Sequence, residues 1–186
     1  MATGVLTNVE QTLAGVDVPR LRAAAKAIVE ARRTYVMGVG INYGVARSFA
    51  YLAAMVLDQV QAIPQEGHWA VDDLSEASGG DVLVALTFKP YRREVLEAVA
   101  IAKDQGVDII GLSDSPASPL VANAEHGLVV ATETPQFFTS TVAASALLET
   151  LMAFVIAAAS PEAIARIERL QARRRALGLY RDDEGG

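Results

Sequence analysis

The feature that most constrains this chain is a regular alternation of short, continuously apolar segments with segments of helical periodicity. Residues 82–86 are apolar without a break, and after them apolar residues recur on one helical face at Val95, Val99 and Ala102. An unbroken apolar strand is typical of a parallel sheet covered on both faces, because such a strand meets no water on either side. Repetition of this unit along the chain predicts βαβ units with right-handed crossovers.

The same pattern predicts the order of elements from the first strand onward. Strands are expected at 34–40, 60–64, 81–87, 107–113 and 126–132. Helices are expected at 43–57, 70–77, 91–105, 118–124 and 138–159, with a last helix from Pro161. We therefore predict an α/β fold, a three-layer α/β/α sandwich around a five-stranded parallel sheet in the flavodoxin-like order 2-1-3-4-5.

Two helices are expected before the first strand. Thr7 and Glu10 have the spacing of a capping box, which predicts a short helix that begins at Thr7 and is broken around Gly15. A second helix is expected from Asp17, with Pro19 in its first turn.

Composition excludes several classes of function. The chain has no cysteine, which excludes disulfides, thiol catalysis and cysteine zinc sites, and two histidines, which disfavour a multi-histidine metal site. The net charge of −6 disfavours a nucleic-acid-binding surface on this chain. No basic region followed by an apolar core opens the sequence, so we expect a cytoplasmic protein, and we expect no cofactor or metal.

The most apolar stretch, 142–159, carries Glu149 near its centre. A central carboxylate would cost about 2.5–3.5 kcal/mol in a membrane, so a helix buried in the domain or in a subunit contact is the better interpretation. One sheet face can bury only part of so apolar a helix, so we expect a homodimer or a higher oligomer. For Glu149 itself we expect a structural ion pair, with a catalytic base as the alternative.

The glycine-rich turn at 38–44 leads from a strand into a helix. Tyr43 occupies the position of the third glycine of a dinucleotide fingerprint, and the acidic residue expected about 20 positions later is missing. A Rossmann cofactor site is therefore not expected. Anion binding at the helix N-terminus and a plain turn that needs glycines both remain open.

The turn at 87–93 is the stronger candidate for ligand binding. It concentrates Lys89, Arg92 and Arg93 at the start of a helix, where positive charge opposes the helix dipole. A bound anion would remove that conflict. The alternative is a solvated turn in which one arginine pairs with a nearby glutamate. Thr87 is expected near the N-cap of this helix and Pro90 in its first turn.

The remaining polar candidates have simpler explanations. Ser113 and Ser118 follow the fourth strand and can reach a ligand, but Ser118 before Pro119 is also a good N-cap. His68 and His126 have no evident acid or nucleophile partner in the sequence, so we expect both to be structural or exposed.

Three segments together resemble a known family. They are G-V-G-I-N-Y-G-V-A, D-V-L-V-A-L-T-F-K-P-Y-R-R-E-V and G-V-D-I-I-G-L-S-D-S-P-A-S-P-L-V-A-N-A-E, after or around strands one, three and four. Over nearly the whole chain they resemble the sugar isomerase (SIS) domain of RpiR-type transcriptional regulators. The resemblance implies linker helices at 1–33, a SIS phosphosugar-binding domain at 34–176 and a tail at 177–186. It also implies dimerisation, and DNA binding only through a helix-turn-helix domain that is not in this chain.

The sequence departs from the family pattern in the phosphate turn. SIS domains usually carry Ser-x-Ser-Gly-x-Thr there, whereas the aligned residues 87–92 keep a hydroxyl only at Thr87, and Asn42 stands where a serine is common. The turn has become cationic and aromatic. A phosphate, a carboxylate or a sugar acid would each suit Lys89 and Arg92.

Two functions follow as hypotheses. The first is a non-enzymatic domain that binds a phosphosugar or a related anionic sugar as the effector of an RpiR-type regulator. The second is a phosphosugar aldose–ketose isomerase with Glu149 or His68 as base; the lack of an evident acid–base pair favours the first. The candidate ligand-binding residues are Gly40, Asn42, Thr87, Lys89, Tyr91, Arg92, Ser113 and Ser118.

Overall fold

Alternating strands and helices make up residues 2–180, the part of the chain that the computed structural model describes. The strands are Thr34–Gly38 (β1), Val60–Ile63 (β2), Val82–Leu86 (β3), Asp108–Ser113 (β4) and His126–Val129 (β5). The helices are Ala2–Ala14 (α1), Val18–Glu30 (α2), Tyr43–Val56 (α3), Ala70–Asp73 (α4), Arg93–Asp104 (α5), Pro119–Ala122 (α6), Val142–Ala158 (α7) and Pro161–Ala176 (α8). Each element predicted from the first strand onward is present, and most are shorter than predicted.

The five strands form one parallel sheet in the order β2-β1-β3-β4-β5, which confirms the predicted topology. β3 lies in the middle, between β1 and β4, and all five of its residues are buried. Helices cover this strand on both faces, which is why its sequence shows no polar alternation. Gly38 at the end of β1 pairs with Leu86 at the end of β3, so the loops after these two strands are neighbours.

Two hydrophobic cores lie on the two faces of the sheet. One joins α2, α3 and α7 to the sheet through residues such as Phe49, Leu112 and Leu147. The other joins α4, α5 and α6 to the opposite face through residues such as Leu83 and Leu120. Because α3 and α5 leave β1 and β3 toward opposite faces, the loops that precede them separate and open a crevice at the carboxyl edge.

α7 is covered more completely than the sequence predicted. It contacts α1, α2 and α3 in addition to the sheet, and these helices bury its leucines. Val142 and Ile156 stay 50% and 41% exposed. The inference of an oligomer from this helix assumed that only the sheet covers it. That assumption is wrong, so the oligomer remains a prediction that rests on a smaller exposed surface.

The expected ion pair of Glu149 is also absent from the described part of the chain. Its side chain is exposed on α7, and no arginine or lysine of residues 2–180 reaches it. The carboxylate can stay unpaired because this side of the helix meets solvent rather than the protein interior.

The predicted capping box at Thr7 and Glu10 is wrong. α1 begins at Ala2, and Thr7 is an exposed residue inside it. The buried polar residues of this helix are Asn8 and Thr12, which bond the segment after β5. Tertiary contacts of α1 thus favour a helix that begins before Thr7, where the local sequence predicted its start.

The other terminal predictions have mixed outcomes. α1 ends just before Gly15, and Asp17 caps α2 by accepting a hydrogen bond from the N–H of Arg20 at 3.0 Å, both as predicted. Of the predicted tail, 177–186, the part from residue 181 lies outside the described residues. Within residues 2–180 no single helix is long and apolar enough to cross a bilayer; α7 and α8 reach that length and hydropathy only together, and they meet at 115°.

A bidentate ion pair holds the amino edge of the sheet. Arg32 donates to the two carboxylate oxygens of Asp81 at 2.9 and 2.8 Å, immediately before β1 and β3. Burial of Asp81 opposes its ionisation, but the hydrogen bonds from Arg32 and from the N–H of Ser78 outweigh that effect and lower its pKa. Asp81 is therefore a fixed negative charge at the edge opposite the crevice.

Candidate ligand-binding site

The loop after β1 contains two positions that require glycine. A Cβ on Gly38 would lie 2.6 Å from the carbonyl oxygen of Asn42, and Gly40 has a φ of 59°, which side chains rarely tolerate. A short 3-10 turn, Gly40–Asn42, then leads directly into α3. The loop therefore turns tightly at the carboxyl edge and brings the free amides at the start of α3 to the crevice.

Thr87 anchors the turn between β3 and α5. It is fully buried; its Oγ1 accepts a hydrogen bond from the N–H of Arg92 at 2.9 Å, and its carbonyl accepts one from Oγ of Ser113 at 2.6 Å. Because this hydroxyl closes the turn on Arg92, α5 begins only at Arg93. Pro90 was expected in the first turn of the helix and instead lies before it.

The three cations of this turn differ in their partners. Arg93 forms an exposed ion pair with Glu97 at 2.6 Å, so the alternative of a solvated turn is correct for this residue. Lys89 and Arg92 are exposed and have no anionic partner among residues 2–180. The guanidinium of Arg92 lies against Gly40, because its Nη2 is 2.7 Å from the place where a Cβ of that glycine would stand. Two unpaired positive charges thus border the crevice.

An open cleft of about 790 Å³ occupies the crevice. Such a volume lies within the range of small-molecule sites, about 300–1,000 Å³. The cleft has a polar and cationic side, an apolar side, and a third side formed by the segment before α7. The first side comprises Asn42, Lys89, Arg92 and Arg93 together with the acidic Glu94; the second comprises Val39, Ile41, Phe88, Pro90 and Tyr91; and the third comprises Phe137, Phe138 and Thr139.

Asn42 is the most unusual side chain of the cleft. It is 3% exposed, and its Oδ1 has no hydrogen-bond partner within the described residues. Buried polar atoms are nearly always paired, because an unpaired one costs about 1–3 kcal/mol. A hydroxyl of a bound ligand would provide the missing donor, so Asn42 fits a site that is completed by a polar ligand.

Asp114 organises the outer part of the turn, and no sequence pattern singled it out. Its Oδ1 accepts a hydrogen bond from the N–H of Lys89 at 3.3 Å and lies 3.1 Å from Oγ of Ser113, which shares its one proton between Asp114 and the carbonyl of Thr87. Burial raises the pKa of Tyr91, and the nearby negative charge of Asp114 raises it further. Tyr91 is therefore held as a neutral hydroxyl at neutral pH.

The structure brings most of the predicted site residues together. Asn42, Lys89, Tyr91 and Arg92 line the cleft, and Gly40 lies directly against Arg92. Thr87 and Ser113 are fully buried beneath it and bond each other. Ser118 is also fully buried, and its hydroxyl caps α6 by accepting from the N–H of Val121 at 3.1 Å. Direct ligand contacts of the last three remain predictions.

Phe137 and Phe138 were not predicted as site residues. The helix expected at 138–159 would have included Phe138, whereas α7 begins only at Val142. They lie before it, 95% and 66% exposed, with their rings edge to face at 5.2 Å. One signal could have found them. Two adjacent phenylalanines follow Pro135 in the connection after the last strand, and the carboxyl ends of parallel strands meet at one edge of the sheet.

The two histidines have different surroundings. His68 is exposed, as predicted, and it also has an acidic partner that was not evident in the sequence: its Nδ1 lies 2.8 Å from Oδ1 of Asp73, whose side chain is buried. The loop fold brings the two together, although they are five residues apart in the sequence. His126 begins β5, so it lies at the amino edge of the sheet, away from the cleft.

These features define a doubly wound α/β domain with a cationic cleft at the carboxyl edge of its sheet. The chain belongs to the SIS domain family, whose pattern it matches over residues 27–157. An uncharacterized HTH-type transcriptional regulator of Haemophilus influenzae is 26% identical over 129 residues, which cover 69% of this chain and 44% of the relative. The match therefore spans less than half the length of that protein.

Solved structures agree with this assignment. The sugar isomerase domain of an RpiR transcription factor from Sphaerobacter thermophilus superposes with a TM-score of 0.85 and 25% identity, over 91% of this chain and 95% of that one. The Vibrio vulnificus NanR protein complexed with ManNAc-6P superposes with a TM-score of 0.82 and 24% identity, over 95% of this chain and 67% of that one. The predicted resemblance to SIS domains of RpiR-type regulators is thus confirmed.

The fold alone does not separate regulators from enzymes. A Methanococcus jannaschii protein with an inferred function of 3-hexulose-6-phosphate isomerase superposes with a TM-score of 0.63 and 15% identity, over 91% of this chain and 88% of that one. Function has to be argued from the site.

Proposed function

We propose that this domain binds a small anionic sugar, such as a sugar phosphate, in the cleft between the loops after β1 and β3. The observation that carries the proposal is a pair of cations without anionic partners among residues 2–180, Lys89 and Arg92, beside the buried, unpaired amide oxygen of Asn42. Cations suit a phosphate or a carboxylate, and the amide suits a sugar hydroxyl. The amides at the start of α3 add partial positive charge to the same place.

The second part of the proposal is that binding serves regulation rather than catalysis. The matched relatives are transcriptional regulators, and the Vibrio vulnificus NanR protein was solved with a phosphosugar. In such a role DNA binding belongs to a helix-turn-helix domain outside these residues, and the domain described here acts as the effector sensor.

Isothermal titration calorimetry tests the binding. The wild-type chain is titrated with ManNAc-6P, with common hexose and pentose phosphates, and with sugar acids. We expect saturable binding of at least one anionic sugar and none of its uncharged parent sugar. Equal binding of the charged and uncharged forms would refute an anion site.

A phosphosugar isomerase is the second candidate, and one observation favours it. The buried carboxylate of Asp73 orients His68 at 2.8 Å, and it also accepts from the backbone N–H and the side-chain amide of Gln65. An imidazole fixed in this way can act as a general base. The loop of His68 follows β2, which neighbours β1, so it lies at the same edge of the sheet as the cleft. Glu149 is the other candidate base.

We also propose that the domain assembles into a homodimer or a higher oligomer. Apolar side chains remain exposed on α1 and α7, notably Leu6, Leu13, Val142 and Ile156. Light scattering at micromolar concentration is expected to give a mass well above the 19.7 kDa of one chain. A stable monomer would contradict this.

A further inference from the structure

We propose that Asn8 and Thr12 of α1 are positioning residues for the Phe137–Phe138 side of the cleft, so that the first helix and the ligand site are coupled. This inference rests on the proposed ligand site. It goes beyond it by assigning a role to a helix that does not border the cleft.

The first step is the contact between α1 and the segment after β5. Nδ2 of Asn8 donates to the carbonyl of Glu133 at 2.7 Å, and Oγ1 of Thr12 accepts from the N–H of Ala131 at 2.9 Å. Both side chains are almost completely buried, and each bond joins residues more than 100 positions apart in the sequence. These are therefore specific tertiary bonds, and losing either leaves a buried polar group unpaired.

The spacing of the two bonds shows how they act together. Residues 8 and 12 lie on one face of α1, separated by about 6 Å along the helix axis. Two residues of an extended backbone, the separation of residues 131 and 133, span about 6.6 Å. The separation of the two bonding residues on α1 is therefore close to that of their two partners. Both hydrogen bonds can form at once, and they hold the segment against α1 at two points.

The second step leads from this segment to the cleft. A turn follows Glu133, in which Oγ1 of Thr134 accepts from the N–H of Gln136 at 3.2 Å. Phe137 and Phe138 come immediately after it and line the cleft. Only three residues separate the last bond to α1 from the first aromatic ring. The bonds to α1 therefore limit where both rings can stand.

The third step concerns the exposure of the two aromatic rings. The loops after β1 and β3 are fixed by sheet pairing and by the bonds of Thr87, whereas the two phenylalanine rings are largely exposed and touch each other. A ligand that packs against these rings would stabilise the arrangement in which residues 131 and 133 are bonded to α1. By thermodynamic reciprocity it would then also stabilise the contact with α1.

Hydrogen–deuterium exchange on the ligand-free chain tests the coupling. We expect Thr12→Val and Asn8→Asp to speed exchange over residues 131–141 at least tenfold, with β3 unchanged. Thr12→Ser keeps the hydroxyl and is expected to restore the wild-type rate. The matched control is Thr7→Val, the same change on the exposed side of α1. The proposal would be overturned if residues 131–141 exchanged at the wild-type rate in both Thr12→Val and Asn8→Asp. It would also be overturned if exchange in Thr12→Ser were as fast as in Thr12→Val.

A second measurement keeps the failure of this inference separate from that of the proposed function. With saturating ManNAc-6P, hydrogen exchange in the wild type is expected to slow over residues 8–12 as well as over residues 131–141. The affinity for ManNAc-6P is expected to fall three- to tenfold in Thr12→Val and to stay unchanged in Thr7→Val. Protection of 131–141 without any protection of 8–12 would overturn the coupling. Absence of ManNAc-6P binding would count against the proposed ligand, while the ligand-free exchange would still decide the role of Asn8 and Thr12.

Discussion

The guanidinium of Arg92 lies against Gly40, with its Nη2 2.7 Å from the position of a Cβ on that glycine. One cation of the turn after β3 thus stands over the loop after β1, where Gly40 also has a positive φ. The side chain of Arg92 therefore occupies space that a side chain at residue 40 would fill. Arg92 can lie there only because residue 40 is a glycine.

Gly40→Ala should consequently lower both stability and ligand affinity. The left-handed backbone costs an alanine about 1–2 kcal/mol, and the added methyl group displaces Arg92. Urea unfolding and calorimetry measure the two effects. The matched control is Gly44→Ala, which meets no atom within 4 Å and lies in α3, where alanine favours the helix. Equal affinities of the two variants would show that the placement of Arg92 does not matter.

Lys89→Ala and Arg92→Ala should each weaken binding of an anionic sugar. Removing one charge-assisted hydrogen bond costs about 1.5–3 kcal/mol, which is roughly tenfold to a hundredfold in affinity. Lys103→Ala is the control, because Lys103 is paired with Glu125 at 3.1 Å and does not line the cleft. Calorimetry in which all three variants bind as the wild type does would place the site elsewhere.

Asn42→Leu should separate stability from binding. The replacement has a similar size and removes the buried unpaired oxygen, so the free energy of unfolding should be unchanged or higher by about 1 kcal/mol. Affinity for the sugar should fall, because the amide is expected to bond a ligand hydroxyl. A large loss of stability in urea would instead mean that the amide has a structural role.

Asp81 should contribute stability that is lost in acid. Its pKa is lower in the folded chain than in the unfolded chain, so the contribution is fully present above the unfolded value, about 3.9, and disappears as the pH falls through the folded value. Asp81→Asn should cost about 1.5–3 kcal/mol at pH 7, and the difference from wild type should shrink below pH of about 4. Urea unfolding across pH 3–7 measures this, with the exposed Asp104→Asn as control. A difference that does not depend on pH would contradict the assignment.

No isomerase turnover is expected with common hexose and pentose phosphates. Glu149 is exposed and unpaired within residues 2–180, and the usual hydroxyl-rich phosphate turn is altered at residues 87–92. Coupled assays with wild type, Glu149→Gln and His68→Gln test this. Turnover in the wild type that either substitution abolishes, with folding intact by circular dichroism, would favour the enzyme.

The sequence alone determined the sheet, because the unbroken apolar run of β3 and the glycine after β1 leave few other structures. It also identified the cations of the turn after β3, since positive charge at a helix N-terminus is a local conflict that can be read from neighbouring residues. The cap at Asp17 was equally local. In each case the physical cause lies within a few positions of its effect.

Only the tertiary structure decided which polar groups lack partners and what covers each helix. Among residues 2–180, Arg93 has an anionic partner and Arg92 has none, His68 contacts Asp73, and the buried Oδ1 of Asn42 has no hydrogen-bond partner. All of these outcomes depend on how the loops fold. The burial of Asn8 and Thr12 of α1 depends on bonds to residues more than 100 positions away, and the cover over α7 depends on the packing of α1, α2 and α3 against it. Sequence patterns report local preference and periodicity, whereas hydrogen-bond pairing and burial are fixed by the packing of distant segments.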